Sequence, residues 1–260
     1  MNTTAPTLEH FAPQTFRFYQ HALDILREAE TPFLVGGAYA FAEYTGIIRH
    51  TKDLDVFVHR RDIHRALAAF ADAGYHTNLV FEHWLGKAYH DGDFIDIIFS
   101  SGNAACPIDA SWFEHAPPAE VLGKLVRLVP AEEMIWQKAY IMERERFDGA
   151  DVNHLIRSRG VLLDWDRLVR RFGRHYRVLL SHLILYGFVY PDDQDSIPGE
   201  VLQQLLARLN HDAPDQSAQP KEGLRDRPDL YLHFAAEAGD IADLLQGHPR
   251  VPSWQLDAIQ

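Results

Sequence analysis

Apolar and polar positions along the chain change their rhythm several times, and each change predicts an element. Residues 13–30 (PQTFRFYQHALDILREAE) carry apolar side chains at helical spacing and read as a helix. FLVGG (33–37) reads as a short buried strand entering a tight turn, and AYAFAEYTG (38–46) as a helix stopped at Gly46. DLDVFV (53–58) predicts a second strand, and RDIHRALAAFADAG (61–74) an amphipathic helix stopped by Gly74. The runs at 83–90 and 94–99 predict strands joined as a hairpin through Asp91-Gly92-Asp93, and 121–129 predicts a further short strand. Past Pro130 the rhythm is helical throughout: 131–147, 149–160, 164–173, 175–190, and a last helix from Pro198 to Asn210.

The expected fold class is therefore α+β: a small mixed sheet with flanking helices, followed by an all-α C-terminal half. The expected divisions are 1–129 for the α/β part, 130–210 for the helical part and 211–260 for a linker and weakly patterned tail. Residues 211–229 are rich in Pro, Asp and Gln and read as a linker, with one helical candidate beyond it at LYLHFAAEAGDIADLL.

Composition narrows the function classes. A formal charge of -12 argues against general adhesion to nucleic acid, which works by neutralising phosphates. The charge is uneven, since residues 157–177 hold seven arginines against two aspartates. If one helix ran through Gly173, Arg167, Arg170, Arg171 and Arg174 would share a stripe on the Arg157–Arg177 segment, leaving RNA as a minority partner. The lone Cys106 allows no internal disulfide, no apolar run has membrane-spanning length, and the start lacks the pattern of a signal peptide. The expectation is a cytoplasmic protein with no membrane partner.

The chemistry concentrates in three acids. On an extended strand, residues two apart share a face, so Asp53 and Asp55 project together while Leu54 and Val56 turn to the core. Carboxylates this close repel unless a cation lies between them, and magnesium suits a few carboxylates plus phosphate oxygens. Asp96 interrupts an otherwise apolar strand, where an uncompensated charge is costly. If its strand lies beside 53–58, the trio has the donors for two magnesium ions; the alternative is an edge acid paired with Lys87. The Gly36-Gly37 turn offers unobstructed backbone N–H groups to a triphosphate.

This order of strand, Gly-Gly, helix, Asp-x-Asp strand and later Asp strand resembles the DNA polymerase β-like nucleotidyltransferase superfamily. The run Arg49, Thr51, Asp53, Leu54, Asp55 is similar to its bacterial stand-alone, abortive-infection toxin-like branch. Lys138, Arg146, Asp148 and Asp151 fall where that branch has its downstream helical segment, so the resemblance covers about residues 33–157. Where many relatives have Gly-Ser, this chain has Gly37 followed by Ala38, and the gap from Gly37 to Asp53 is longer than the shortest family pattern.

The resemblance implies the nucleotidyltransferase fold, with Asp53, Asp55 and Asp96 as catalytic and metal residues and two magnesium ions as cofactors. It implies transfer of a nucleoside monophosphate from a nucleoside triphosphate to a hydroxyl acceptor (a small molecule, an RNA 3′ end or a protein), with release of pyrophosphate. Gly36, Gly37, Arg49, Thr51, Lys52 and Lys138 are the candidate nucleotide-binding residues. Each of the last group has a plainer reading. Lys138 is a triphosphate contact or a helix lysine paired with Glu133, and Arg49 and Lys52 steer phosphate, neutralise the acids or form a structural ion pair. Asp148 and Asp151 are expected to cap the helix at 149–160. Tyr39, Trp112, Trp136 and Trp165 are expected to pack in the core. The competing functions are a non-catalytic nucleotide-binding protein, such as one member of a toxin–antitoxin-like pair, and a phosphohydrolase using the same acids on water.

Overall fold

A computed structural model of the chain describes residues 12–49, 51–102, 105–142 and 146–212. The linker and helical candidate expected beyond 212 lie outside the described residues. Helix α1 (Pro13–Glu28) begins with proline at a position whose N–H has no partner within the helix, and buries Phe18, Tyr19, Ala22, Leu23, Ile25 and Leu26 along one face. Strand β1 (Phe33–Val35) leads into α2 (Gly37–Thr45), which ends on Gly46 in the left-handed conformation that glycine adopts without strain. Then follow β2 (Asp53–Val58), α3 (Ile63–Asp72), β3 (His76–Phe81), β4 (Leu85–His90) and β5 (Asp93–Ile98).

The five strands form one mixed sheet in the order β1-β2-β5-β4-β3. Strand β1 runs antiparallel to β2, β2 parallel to β5, and β5-β4-β3 antiparallel in succession. The turn between β4 and β5 is Asp91-Gly92, both with positive φ, as a two-residue hairpin loop requires. Two of the sequence expectations change in this half. Strand β3 has no counterpart among them, because exposed His76 and Asn78 interrupt its apolar signal. The single strand expected over 121–129 is instead a hairpin, β6 (Ser100–Ser101) and β7 (Cys106–Pro107) being followed by α4 (Ala110–Glu114), then β8 (Pro118–Val121) and β9 (Lys124–Arg127) around Leu122-Gly123.

One sheet face is the core face. Leu54, Val56, Ile95, Ile97 and Ala88 are buried there, and Gly86 lies against Ile63 and Leu67 of α3. Trp112, Trp136 and Trp165 are all buried, as expected, with Trp112 stacked 5.7 Å from Phe57 on the other side of the sheet.

Helices follow from α5 (Ala131–Ala139) through α6 (Gly149–Arg159), α7 (Trp165–Phe172), α8 (Tyr176–Val189) and α9 (Gly199–His211). Helix α5 stops eight residues short of the expected 147, because Met142 bridges back to Phe147 and turns the chain. The arginine stripe is also dismantled. Gly173, at φ +48°, ends α7, and Arg167 and Arg171 turn inward to the fully buried Glu133 of α5. Arg167 donates to Glu133 at 2.6 Å and also pairs with Glu132, while Arg171 donates to Glu133 at 3.0 Å and to Asp109 at 2.6 Å. Among the described residues no helix is long and apolar enough to cross a membrane.

Candidate active site

The site lies on the sheet face opposite α3. Asp53 and Asp55 alternate with fully buried Leu54 and Val56, so both carboxylates emerge on one side. In the parallel β2–β5 pair, Asp55 stands directly beside Asp96. The three carboxylates each place an oxygen within 4.8 Å of the others. Thr51 Oγ1 donates to Asp53 Oδ1 and fixes the first of them.

The turn after β1 closes one side of this cluster. Gly36 N–H donates to the Asp55 carbonyl at 3.0 Å, which docks the turn on β2. Gly37 has φ +54°, and a Cβ there would lie 1.7 Å from Asp55 Oδ2. A Cβ at Gly36 would lie 2.2 Å from the Phe57 ring. Both glycines are therefore required by close approach, and Gly37 by its backbone conformation as well. Helix α2 starts at Gly37, so the N–H groups at its start belong to the wall of the site.

The electrostatics follow from crowding. Burial, with Asp53 and Asp96 alongside, pushes the Asp55 carboxyl up to about 7, although Lys138 and Arg146 pull it down. Burial also raises Asp96, against the pull of Lys87, whose Nζ stands 2.8 Å from Asp96 Oδ1. Asp96 is not the edge acid of the alternative reading, because β5 lies inside the sheet between β2 and β4; it joins the trio, and of that alternative only the pairing with Lys87 holds. Two tyrosines feel the charge of the acids through space. Burial and the nearby carboxylates raise Tyr19 of α1 and Tyr39 of α2, and the Tyr19 hydroxyl donates to the Lys52 carbonyl at 2.9 Å. Tyr39 packs against the core, partly buried. Tyr19 is a neighbour of the site for which the sequence carries no local signal, since it comes from a helix that precedes the Gly-Gly turn.

The helical side contributes a second charged group, differently wired from expectation. Lys138 Nζ donates to Asp148 at 2.9 Å and to Asp151 at 2.7 Å, and not to Glu133, which the arginines of α7 occupy. Asp148 and Asp151 stand at the start of α6, but neither side chain caps it, because Lys138 holds both, with Arg146 on Asp148 and Arg49 on Asp151. Burial opposes ionisation of Asp148, yet hydrogen bonds from Arg146 and Lys138 hold its carboxyl below the usual range. Arg49 pairs with Asp151 and lies 4.4 Å above the Phe41 ring, so its structural ion pair is with α6 rather than with the acid trio. Lys52 is exposed beside Asp53.

All the donors offered by the trio are carboxylate oxygens on one desolvated face, which matches the preference of a hard divalent cation. Such a cluster is suited to phosphoryl chemistry, where charge on the reacting oxygens must be matched by positive charge or by oriented N–H groups.

A family model described as an uncharacterised nucleotidyltransferase matches residues 21–186. No curated protein matches the chain. Among solved structures, the antibiotic-resistance factor ANT(2'')-Ia in solution is 17% identical, with 66% of this chain and 98% of that chain covered and a TM-score of 0.47. The lincomycin-bound lincosamide antibiotic adenylyltransferase LnuA is 14% identical, with 55% and 96% covered and a TM-score of 0.39. JHP933 from Helicobacter pylori is 14% identical, with 78% and 96% covered and a TM-score of 0.37.

Proposed function

The chain belongs to the nucleotidyltransferase family, and from that premise we propose that it transfers a nucleoside monophosphate from a nucleoside triphosphate to a hydroxyl acceptor in a magnesium-dependent reaction. The observation that carries this reading is the convergence of Asp53, Asp55 and Asp96 on one face against the Gly36-Gly37 turn. Asp53, Asp55 and Asp96 would hold magnesium, which would supply charge neutralisation to the phosphates and lower the pKa of the acceptor hydroxyl.

The chain's own groups do the rest. The N–H groups at the start of α2 orient the triphosphate, which Gly37 admits by having no side chain. Lys138, Arg49 and Lys52 supply positive charge around it, and Lys138 and Arg146 already act on Asp55 through space. Asp96 takes the proton of the acceptor hydroxyl. The acceptor oxygen forms a bond to the α-phosphorus, the bond from that phosphorus to the bridging oxygen breaks, and pyrophosphate leaves with the electron pair. Small molecules, RNA 3′ ends and proteins all carry the hydroxyl this step needs.

The test is a thermal-shift titration with each of the four ribonucleoside triphosphates, with and without magnesium, on wild type and on the double variant Asp53→Asn, Asp55→Asn. A ligand at a hundred times its Kd adds about 2.7 kcal/mol to stability. A magnesium-dependent shift that the double variant loses supports the site and names the base. A wild type that no triphosphate stabilises would sink the reading, and an equal shift in the variant would move nucleotide binding elsewhere.

A further inference from the structure

Lys87 is the one cation in ion-pairing contact with the trio among the described residues, and it reaches the trio from the side away from Asp53 and Asp55. It stands directly across from Asp96 in the antiparallel β4–β5 pair, while Asp96 stands beside Asp55 in the parallel β2–β5 pair. Asp96 therefore lies between a carboxylate on one neighbouring strand and an ammonium on the other. The Lys87 side chain is 19% exposed and that of Asp96 14%, so water does little to screen either charge. Its Nζ also lies 3.8 Å from the centroid of the Phe94 ring on the same sheet face, which holds the ammonium in place through a cation–π contact.

We propose that Lys87 is a positioning residue that sets the metal affinity of the carboxylate trio: it holds Asp96 through Oδ1 and acts as a built-in competitor for the incoming cation. The proposal rests on the metal-site reading above. In the metal-free protein, three crowded carboxylates need positive charge, and a tethered ammonium is present at high local concentration without any ion being bound. When a divalent cation binds, Lys87 becomes a like charge close to it and opposes its retention. The same contact restrains the Asp96 side chain within the cluster. The chain thus trades metal affinity for a third carboxylate that stays in register before metal and nucleotide arrive.

The test is manganese binding by isothermal titration calorimetry to nucleotide-free protein, together with the melting temperature in a chelator. The proteins are wild type, Lys87→Met, Lys87→Arg and the Asp53→Asn, Asp55→Asn control. Removing the ammonium is expected to tighten manganese binding at least ten-fold and to lower the metal-free melting temperature, with saturating manganese restoring it. Lys87→Arg keeps the charge and the ring contact and is expected to stay within about three-fold of wild type, which separates loss of charge from loss of shape. Manganese affinity unchanged in a cooperatively melting Lys87→Met protein overturns the proposal, and so does weaker binding. Should Lys87→Met fail to fold, a ten-fold change of affinity in Lys87→Arg overturns it instead. If neither wild type nor Lys87→Met binds manganese, the metal-site reading falls as well; if both bind equally and the double-aspartate control does not, only the role of Lys87 falls.

Discussion

The Asp55 carboxylate occupies the space that any side chain at residue 37 would need. A Cβ on Gly37 would stand 1.7 Å from Asp55 Oδ2 and 2.7 Å from its carboxyl carbon. The glycine turn and the second aspartate of the Asp-x-Asp pair are thus one fitted unit, although they are far apart in sequence. Their contact explains why the segment after β1 is glycine at two successive positions: Gly36 makes room for Phe57 and Gly37 for Asp55.

Gly37→Ala is expected to abolish activity while leaving the fold in place. The left-handed backbone costs an alanine roughly 1–2 kcal/mol, and the new methyl group must expel the Asp55 carboxylate from its position. Thermal melting and pyrophosphate release measured side by side check this. A variant with wild-type turnover would show that Asp55 has freedom to move without consequence.

The metal-free protein carries a pH signature of Asp55. Its carboxyl is raised from 3.8 to about 7 by burial first and by Asp53 and Asp96 next. Between those values the folded chain keeps a proton that the unfolded chain has released. The stabilisation is complete below the unfolded value and is lost as pH rises through about 7. Asp55→Asn keeps a neutral group at every pH, so its stability advantage over wild type is expected to grow from pH 5 to pH 8 in a chelator. Calorimetric melts across that range read the gap directly; a gap that does not change with pH would contradict the raised carboxyl. Since that proton must leave before the oxygen can hold a cation, manganese binding is expected to weaken below about 7.

What the sequence disclosed and what it withheld divide along the range of the interactions. Asp53 and Asp55 are legible because strand alternation is local, and Asp96 because a charge in an apolar run needs a reason. Gly46 and Asp91-Gly92 announce their turns by residue type alone. Other features depend on partners far away in the chain. Nothing near Tyr19 says that its hydroxyl will reach the Lys52 carbonyl next to Asp53. Nothing near Arg167 and Arg171 says that Glu133 and Asp109 will claim them. The end of α5 follows from the reversal between Met142 and Phe147, which brings Asp148 back to Lys138. The Leu122-Gly123 turn escapes notice because leucine there has φ +54°, a conformation its side chain disfavours and burial enforces.

Lys138 joins stability to the site. Its ammonium serves Asp148 and Asp151, both about as hidden as itself, and its charge lowers the Asp55 carboxyl. Lys138→Met leaves two enclosed carboxylates without their shared partner, a loss of about 3 kcal/mol, at the low end because Arg146 and Arg49 still hold one each. The variant is also expected to weaken nucleotide binding by more than its effect on melting accounts for, once the assay is run well below the melting temperature. Nucleotide affinity equal to wild type in a folded Lys138→Met protein would confine Lys138 to a structural role.

Glu133 is the central acid of the helical half, with no exposed surface at all. It accepts two hydrogen bonds from Arg167 and one from Arg171, and Arg171 extends the set to Asp109 beside α4. Removing one member of a buried charge group strands the others, whereas replacing a whole pair by apolar residues of similar volume does not. Glu133→Gln is therefore expected to cost about 3 kcal/mol in urea denaturation. The double variant Glu133→Leu, Arg167→Met is expected to recover part of that loss, because Arg171 keeps Asp109 while Glu132 loses Arg167. The cycle measures whether these charges specify the packing of α5 on α7 or merely tolerate each other. A Glu133→Gln cost below about 1 kcal/mol, the size of an exposed pair, would mean that water reaches the group and that the helices are held together by their apolar faces alone.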